Sequence, residues 1–397
     1  MCIESGVVGS PSSIKKPSLL LMASNTPFQY RVLRCAAQAG ASVFILGSGR
    51  AKFLAWSRYC KDFVLYPRDF GEENSSELVD IINSLSSILD IDYVIPGCGD
   101  TTRLLGQIRD RLHSKCFPVP PPSVFDTLND KGKFVDLCLD LGMPHPSSVL
   151  LADPAELRSM YDSGQLHFPL IAKPVDGYGS EGVVKLEGLS ADMDLGKIDY
   201  SPILLQEFVE GEDVCISLFC VEGVCKHQVV YKRKRGICFI EHDFLSELAQ
   251  TVARHLNFDG VICFDARLAV NGKRVYLIEC NPRFWYNMDF AMVAGVNFVG
   301  LGIDQAGNEC PVAAMKTFSS PYSFLLKVFT PWQMNAQDVA MLRYWLADPI
   351  PFLWIEIGLN LPGLIVGKAK RAARKIKGCL GLLWRWRHGH KITSTRE

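Results

Sequence analysis

The chain has 397 residues, of which 48% are hydrophobic and 21% are charged, a composition typical of a folded globular protein and not of wholesale disorder. Its 42 Lys and Arg residues balance its 42 Asp and Glu residues, so the overall charge does not indicate a nucleic acid or an acidic partner. The length predicts two or three domains with substantial cores.

The 14 cysteines are scattered without a C-x-x-C pair. Cys215, Cys220 and Cys225 recur every five residues, which fits neither a zinc site nor one face of a helix or strand. No export signal is visible, and no apolar run reaches the roughly 18 residues that span a bilayer. This pattern predicts reduced, mostly buried thiols in a cytoplasmic protein.

Strand-like and helix-like segments alternate over residues 15–120. The runs "SLLLMAS", "SVFILG" and "DYVIPG" predict strands, while Phe28–Ala39, residues 75–89 and a segment from about Asp100 predict helices. Strands separated by helices imply a parallel sheet covered on both faces, so we expect an α/β N-terminal domain.

Two loops of this domain follow strand ends. "ASNTPFQY" has no G-x-G-x-x-G pattern, which argues against a bound dinucleotide, and its Ser24, Asn25 and Thr26 suit a helix cap. "PGCGDTT" at 96–102 ends another strand at the same edge, where ligands of open sheets collect. It is a candidate substrate loop.

The second half of the chain has a different pattern of predicted strands and helices. "FPVPPPSV" at 117–124 predicts a domain boundary, and "NDKGKFVDLCLDLGM" predicts a helix that begins near Asp130 and ends before Gly142. Short strands around tight turns, a helix over 243–256 and a long hairpin follow. We expect a mixed, largely antiparallel fold there.

A glycine-rich loop lies in "AKPVDGYGSEGV". Gly177, Gly179 and Gly182 allow backbone N–H groups to close over phosphate oxygens, and Lys173 ends the preceding strand. The loop is not a Walker A motif, because the lysine precedes the glycines. An ordinary hairpin turn is the alternative.

"LLQEFVEGED" is an apolar strand that runs into Glu207 and then Glu212 and Asp213. Such a strand could offer backbone groups to an adenine edge and a carboxylate to ribose hydroxyls. A plain surface turn after an edge strand is the alternative.

The hairpin strand "VYLIECNPR" carries polar residues at every second position. Strict alternation predicts one face that holds Leu277, Glu279, Asn281 and Arg283. A two-residue turn in "VNGKR" would pair Asp265 of the partner strand with Ile278. A three-residue turn would instead place Asp265 opposite Glu279.

Two carboxylates about 5 Å apart at Cβ repel each other unless a cation lies between them. Asp265, Glu279 and Asn281 offer the hard oxygen ligands that Mg²⁺ prefers, with Mn²⁺ as an alternative. An exposed face with an incidental ion pair is the other interpretation.

The order of these motifs ("NDK", "AKP" with its loop, "QEFVEGED", "FDAR", "ECNPR") resembles the ATP-grasp superfamily over about 120–290. That group includes D-alanine–D-alanine ligase, biotin carboxylase and the carbamoyl-phosphate synthetase large chain. The resemblance implies an N-terminal domain over 15–120 and an α+β ATP-grasp domain over 121–318. Two subdomains of the latter, about 125–205 and about 206–318, would clasp ATP, and an apolar then basic extension would occupy 319–397.

The resemblance also implies residue roles. Those that would hold ATP, with loop 177–182 as a lid, are Lys131, Lys173, Gly177, Gly179, Ser180, Gly182, Glu207, Phe208, Val209 and Asp213. Those that would hold Mg²⁺ are Asp265, Glu279 and Asn281. Lys173 and Arg283 would serve catalysis, Arg283 by steadying a reacting carboxylate or acyl phosphate.

The implied function is an ATP- and Mg²⁺-dependent ligase that activates a carboxylate as an acyl phosphate and joins it to an amine. The alternatives are a phosphotransferase or carboxylase on the same fold, or a nucleotide-binding protein without turnover. The expected partners are small-molecule carboxylates and amines and a second copy of the chain in a homodimer, and no nucleic acid.

Three features lie outside the common pattern. Trp285 and Tyr286 either line the acceptor pocket or pack in the core, and Arg267 either faces the site or forms a surface ion pair. Residues 368–397 are basic, with "GLLWRW" embedded, and either lie peripherally on an anionic membrane surface or pack on the body of the protein.

Overall fold

A computed structural model describes residues 16–177, 179–188, 194–233, 236–270, 272, 274–303, 316–319, 327 and 330–355. The chain divides into two compact units, one that ends at Tyr344 and one that begins at Trp345. Within the described part of the chain, every helix is too short or too polar to cross a bilayer. The expectation for the basic segment 368–397 lies outside the described residues.

The N-terminal sheet is parallel, as predicted, with the strand order β3-β2-β1-β4-β5. β3 was not anticipated, because its half-exposed sequence "CKDFVL" has no continuous apolar run. The elements are β1 (Ser18–Ala23), α1 (Thr26–Gln38), β2 (Ser42–Gly47), β3 (Cys60–Leu65), α2 (Ser75–Leu89), β4 (Tyr93–Pro96), α3 (Gly99–Ile108) and β5 (Lys115–Cys116).

The proline-rich segment after β5 packs against the rest of the protein and is not an exposed linker. Phe117 is buried against the rings of Phe219 and Phe284, with centroids 6.1 and 5.1 Å away. The carbonyl oxygen of Pro118 would lie only 2.2 Å from a Cβ placed on Gly260. The chain then forms the helices α4 (Pro122–Asn129) and α5 (Lys131–Asp140).

A small antiparallel sheet follows, with the strand order β6-β9-β7-β8. The helix α6 packs Leu157 into its apolar core, with Ala172 and Leu205 from the sheet. The elements are β6 (Ser148–Leu151), α6 (Pro154–Asp162), β7 (Leu170–Pro174), β8 (Val184–Leu186) and β9 (Ile203–Glu207).

A larger antiparallel sheet confirms the predicted character of the second half; its strand order is β14-β13-β10-β11-β12-β15. Its elements are β10 (Gly211–Val221), β11 (Val224–Arg233), β12 (Gly236–Ile240), α7 (Asp243–His255), β13 (Gly260–Ala269), β14 (Val275–Asn281), α8 (Met288–Ala294), α9 (Phe298–Gly302) and β15 (Thr317–Ser319). The helices α10 (Ala336–Leu346) and α11 (Pro349–Phe352) follow.

One face of this sheet forms the main apolar core with α5 and α7. Phe134 of α5 and Leu248 of α7 pack there against Ile216, Ile262 and Phe264 of the sheet. Because alternate strand residues point to opposite faces, Cys215 and Asp265 lie on the other face. That face carries the candidate site.

The β13–β14 hairpin reaches the expected pairing by an unexpected route. Asp265 pairs with Glu279, as a three-residue turn would require, but Ala266 pairs with Leu277 and Leu268 with Val275. The ladder next to the turn therefore has the register of the two-residue alternative. A β-bulge at Ile278, which has no partner in the ladder, shifts the register by one residue before Glu279.

The bulge also corrects the predicted face of β14. Leu277 is buried in the main core with Val275 and Cys280, so it does not share a face with Glu279. Strict alternation failed because a bulge adds one residue to the strand and reverses the parity beyond it.

Candidate functional site

The facing carboxylates lie beside a cation and a thiol. The Arg233 guanidinium, from the end of β11, donates to Asp265 Oδ1 at 3.0 Å, and the Cys215 thiol donates to the same oxygen at 2.8 Å. Burial and the nearby Glu279 carboxylate raise the pKa of Asp265, while Arg233 opposes that rise. The two carboxylates thus form a partly desolvated acidic pair whose charge Arg233 balances in part.

The end of β14 links the acidic pair to an arginine. Asn281 Nδ2 donates to Glu279 Oε1 at 3.5 Å, and Arg283 donates to Asn281 Oδ1 at 2.5 Å. The Arg283 side chain lies beside the start of α3, because a Cβ on Gly99 would be 3.2 Å from Arg283 Cδ. Its guanidinium is 5.9 Å from the centre of the Phe28 ring. The loop "PGCGDTT" therefore adjoins Arg283.

Lys173 of β7 is buried in the same region, with 3% of its surface exposed. Its Nζ donates to Gln206 Oε1 at 3.1 Å and to the carbonyl oxygen of Ile278 at 3.3 Å. The second acceptor belongs to the bulge residue. Burial lowers the pKa of Lys173 to about 8, with Lys131 adding to the effect and Glu279 opposing it.

Lys131 is the first residue of α5, which Asp130 caps by accepting from the N–H groups of Gly132 and Lys133. Its backbone N–H donates to Val175 O at 2.9 Å, and its Nζ donates to Gly177 O at 3.1 Å. Burial lowers the pKa of Lys131 as well, against the opposing charge of Glu279. The two lysines thus approach the acidic pair from separate elements.

The glycine-rich loop is exposed and left-handed along most of its described length. The φ angles of Gly177, Gly179 and Gly182 are 94°, 69° and 70°, and that of Ser180 is 64°. Glycine adopts such angles without the steric penalty that other residues incur. Substituting the glycines would stiffen or reshape a loop that begins beside Lys131.

The end of β9 and the start of β10 carry the residues that the sequence predicts to meet the nucleotide. The Phe208 ring has two cations near it, the Lys185 ammonium 4.0 Å from its centre and the Arg267 guanidinium at 5.1 Å. Arg267 also donates to Asp213 Oδ1 at 2.8 Å, whereas Glu212 binds Lys232. Glu207 is exposed at the end of β9, and Val209 is half-buried.

The sequence left open whether Arg267 faces the candidate site. Arg267 lies on the same strand face as Asp265, two residues along β13. Trp285 is buried, with its ring 4.7 Å from that of Phe298, which favours the core-packing interpretation. Tyr286 is half-buried under the Arg31 guanidinium, 4.1 Å from its ring centre.

The sequence did not predict, or left open, a position beside the candidate site for four residues, namely Gln206, Cys215, Arg233 and Arg267. Arg233 lies in the run "KRKR", whose charge was visible, but only the pairing of β10 with both β11 and β13 brings it to Asp265. Gln206 looked like part of an apolar strand, although it is the buried acceptor for Lys173.

The donor set fits Mg²⁺. The described residues contain no cluster of three or more His, Cys, Asp or Glu side chains that could hold a metal. The two carboxylates suit an ion that is usually bound by one or two protein carboxylates, with water and phosphate oxygens completing its octahedron. The Asn281 amide directs its nitrogen to Glu279 and its oxygen to Arg283.

Parts of the chain are similar in sequence to a family model and to curated proteins. Residues 199–324 match a family model described as ATP-grasp in the biosynthetic pathway with Ter operon. A carbamoyl-phosphate synthase of Methanobrevibacter smithii is 23% identical over 217 residues, which cover 49% of this chain and 58% of that protein. Inositol-tetrakisphosphate 1-kinase 1 of Arabidopsis thaliana is 31% identical over 127 residues, 28% of this chain and 40% of the kinase. The chain thus spans about half the length of these curated relatives.

Solved structures share the fold over most of the chain. An N5-carboxyaminoimidazole synthetase from Staphylococcus aureus complexed with ADP has a TM-score of 0.57 at 11% identity, covering 77% of this chain and 81% of that one. An L-amino acid ligase from Bacillus licheniformis has a TM-score of 0.53 at 16% identity, covering 74% and 75%. Residues 199–324 thus resemble the ATP-grasp family in sequence, and about three quarters of the chain shares the fold of these solved structures.

Proposed function

We propose that the chain is an ATP- and Mg²⁺-dependent ligase that activates a carboxylate as an acyl phosphate and joins it to an amine. The observation that carries the proposal is the meeting of two buried lysines, Lys131 and Lys173, with the facing carboxylates of Asp265 and Glu279. The curated relative named a synthase and the structural neighbour named an amino acid ligase support ligation over simple nucleotide binding.

The proposed nucleotide site uses residues from both antiparallel sheets. Backbone groups of Glu207 and Val209 would meet adenine beside Phe208, and Asp213 would meet the ribose. Lys131, Lys173 and loop 177–182 (Gly177, Gly179, Ser180 and Gly182) would enclose the phosphates. Asp265, Glu279 and Asn281 would hold Mg²⁺, which when bound neutralises charge on the phosphates. We also propose the domain division at 15–120, 121–318 and 319–397.

The chemistry follows from the low reactivity of a carboxylate toward an amine at neutral pH. A carboxylate oxygen attacks the γ-phosphorus of ATP, ADP leaves, and the amine then displaces phosphate from the acyl phosphate with loss of a proton. The protein contributes position and charge: the lysines bind the phosphates, and Arg283 holds the reacting carboxylate beside the α3 loop.

The test is ADP release by the purified full chain given pools of carboxylates and amines with ATP and Mg²⁺. We expect turnover only when both classes are present. Turnover with one class alone, or with none, would contradict the ligase. Glu279→Gln should lower the turnover rate by at least about 100-fold, because it removes one of two carboxylates that would hold the ion. The exposed Glu247→Gln of α7 is the matched control and should keep normal turnover.

A phosphotransferase is the second candidate, because the 31% identical stretch belongs to an inositol phosphate kinase. The same ADP-release assay, run with a pool of alcohols in place of the carboxylates and amines, separates the two reactions. A kinase would release ADP with an alcohol acceptor and no amine, and a phosphorylated product would accumulate instead of free phosphate.

A further inference from the structure

The β10–β11 hairpin brings two cysteines into direct register. Cys220 pairs with Cys225, and Val221 pairs with Val224 at the turn. The two turn residues, Glu222 and Gly223, have φ angles of 50° and 73°, as in a type I′ turn. The pair beside such a turn exchanges backbone hydrogen bonds, so the next pair, formed by the cysteines, is the non-hydrogen-bonded kind.

Non-hydrogen-bonded positions suit a disulfide. Residues at such positions have Cα atoms about 4.5 Å apart and the closest side chains in an antiparallel ladder. A disulfide requires a Cα separation of about 4.4–6.8 Å. The register therefore places both thiols opposite each other between the turn and a β-bulge, where Lys226 is the extra residue because Phe219 pairs with His227.

Backbone contacts hold the hairpin end in place. The N–H of Glu222 donates to Asp259 Oδ1 at 2.7 Å, and the N–H of Gly223 donates to Phe258 O at 3.0 Å. Gly223 also lies so close to α7 that a Cβ there would be 3.3 Å from Ala253 O. The thiols thus face each other on an anchored turn.

The two thiols differ in exposure and acidity. Cys220 is fully buried, whereas Cys225 is partly exposed. A hydrogen bond from the Cys220 thiol and the positive charge of Arg254 lower the pKa of Cys225, and the same hydrogen bond, with burial, raises the pKa of Cys220. Cys225 is therefore the better nucleophile, and Cys220 is placed behind it.

We propose that Cys220 and Cys225 form a redox modification site that exchanges with low-molecular-weight disulfides. The Cys225 thiolate attacks one sulfur of the external disulfide, which releases one small thiol and leaves a mixed disulfide on Cys225. The Cys220 sulfur then attacks Cys225 Sγ, which releases the second small thiol. The protein loses two protons and two electrons, and the external disulfide becomes two thiols.

A second neighbouring pair lacks this geometry. Cys215 and Cys263 lie on adjacent strands, but Cys215 pairs with Asp265 and Cys263 pairs with Ser217. Diagonal neighbours in a ladder are about 7–8 Å apart, which exceeds the reach of a disulfide. Both thiols are also buried, so this pair should remain reduced.

The test uses the folded full chain, equilibrated without denaturant against oxidised and reduced glutathione. After alkylation and trypsin digestion, mass spectrometry follows the peptide 198–226, which holds Cys215, Cys220 and Cys225. We expect this peptide to lose two hydrogens on oxidation while one cysteine remains open to alkylation. Reduction with dithiothreitol should reverse the change.

Three variants decide the linkage. Cys225→Ser should abolish the loss of two hydrogens, and Cys220→Ser should leave Cys225 trapped as a mixed disulfide with glutathione. The matched control Cys215→Ser should still lose two hydrogens. The proposal is overturned if the wild-type peptide keeps all three thiols, or if Cys225→Ser still forms an internal disulfide. A loss of two hydrogens that requires Cys215 would overturn it too.

Discussion

Lys173 illustrates how burial alters a single side chain at the residue scale. Its ammonium has lost most of its water but retains two oxygen acceptors, Gln206 Oε1 and Ile278 O. A charged group in that position is ready to bind a phosphate, because its desolvation cost is already met in the folded protein. Its charge is also unusually sensitive to pH.

We predict that ATP affinity falls as the pH rises through about 8, where burial has lowered the pKa of Lys173. Only the charged form attracts phosphate, so binding above that pH must take up a proton, and affinity should fall by up to about tenfold per pH unit. Calorimetry between pH 7 and 9.5, in buffers of different ionisation enthalpy, measures both effects. Lys173→Met should bind weakly and without this slope; an unchanged slope in the variant would assign the proton to another group.

Arg233 supplies part of the charge that a metal would supply. Its guanidinium contacts Asp265, whose pKa is raised by burial and by Glu279. We predict that Arg233→Met lowers the free energy of unfolding without Mg²⁺ by about 1–3 kcal/mol, because the variant leaves the carboxylate pair without that cation.

Saturating Mg²⁺ should then stabilise Arg233→Met more than the wild type, since the ion replaces the missing charge. Thermal unfolding with and without Mg²⁺ measures the difference. Arg267→Met is the matched control, because Arg267 contacts Asp213 and not Asp265. Equal Mg²⁺ stabilisation in all three proteins would exclude a metal at the acidic pair.

At the scale of elements, the β-bulge in β14 performs two tasks. It turns Glu279 toward Asp265 although Leu277 points into the core, and it leaves the Ile278 carbonyl free to accept from Lys173. Bulges commonly redirect side chains next to functional sites. The glycine-rich loop and the α5 cap add Lys131 to the same place.

We predict that deletion of Ile278 yields a folded protein with a regular β13–β14 ladder but at least about tenfold weaker ATP binding, because Lys173 loses a charge-assisted hydrogen bond worth about 1.5–3 kcal/mol. Ile278→Ala keeps the bulge and its carbonyl, so its ATP affinity should stay within about threefold of the wild type. Circular dichroism checks the fold and fluorescence titration measures the affinity. Equal loss in both variants would show that the side chain matters and the carbonyl does not.

At the scale of the whole molecule, helix α1 of the parallel sheet packs against the helices that follow Arg283. Arg31 lies 3.6 Å from Asp289 of α8, with both side chains buried, and Asn297 Nδ2 donates to Cys35 O at 2.7 Å. These contacts join the N-terminal sheet to the chain just beyond the candidate site. Arg283 precedes these helices and lies beside the start of α3.

We predict that Arg31→Met lowers the free energy of unfolding by about 3 kcal/mol, since it removes the cation beside a buried carboxylate. The double variant with Asp289→Asn should recover part of that loss, because the remaining charge is gone. Urea unfolding of the wild type, the single variants Arg31→Met and Asp289→Asn, and the double variant gives the coupling energy. A coupling near zero would mean that the pair does not bind the two parts of the molecule together.

Local signals in the sequence determined much of this protein. Continuous apolar runs predicted the central strands of the parallel sheet, and the Asp130 cap signal predicted the start of α5. The order of the motifs predicted the ATP-grasp resemblance, because each motif is a short run of residues that is recognisable in the sequence. Weak edge strands such as β3 were missed, since a half-exposed strand carries little apolar signal.

Tertiary structure alone decided which side chains meet. Asp265 faces Glu279 through a bulge whose position no alternation pattern reveals, and the predicted cause, a three-residue turn, was wrong. Arg233, Gln206 and the cysteine pair Cys220–Cys225 acquire their neighbours from strand register. Register is set by packing between distant segments, so a sequence read locally does not contain it.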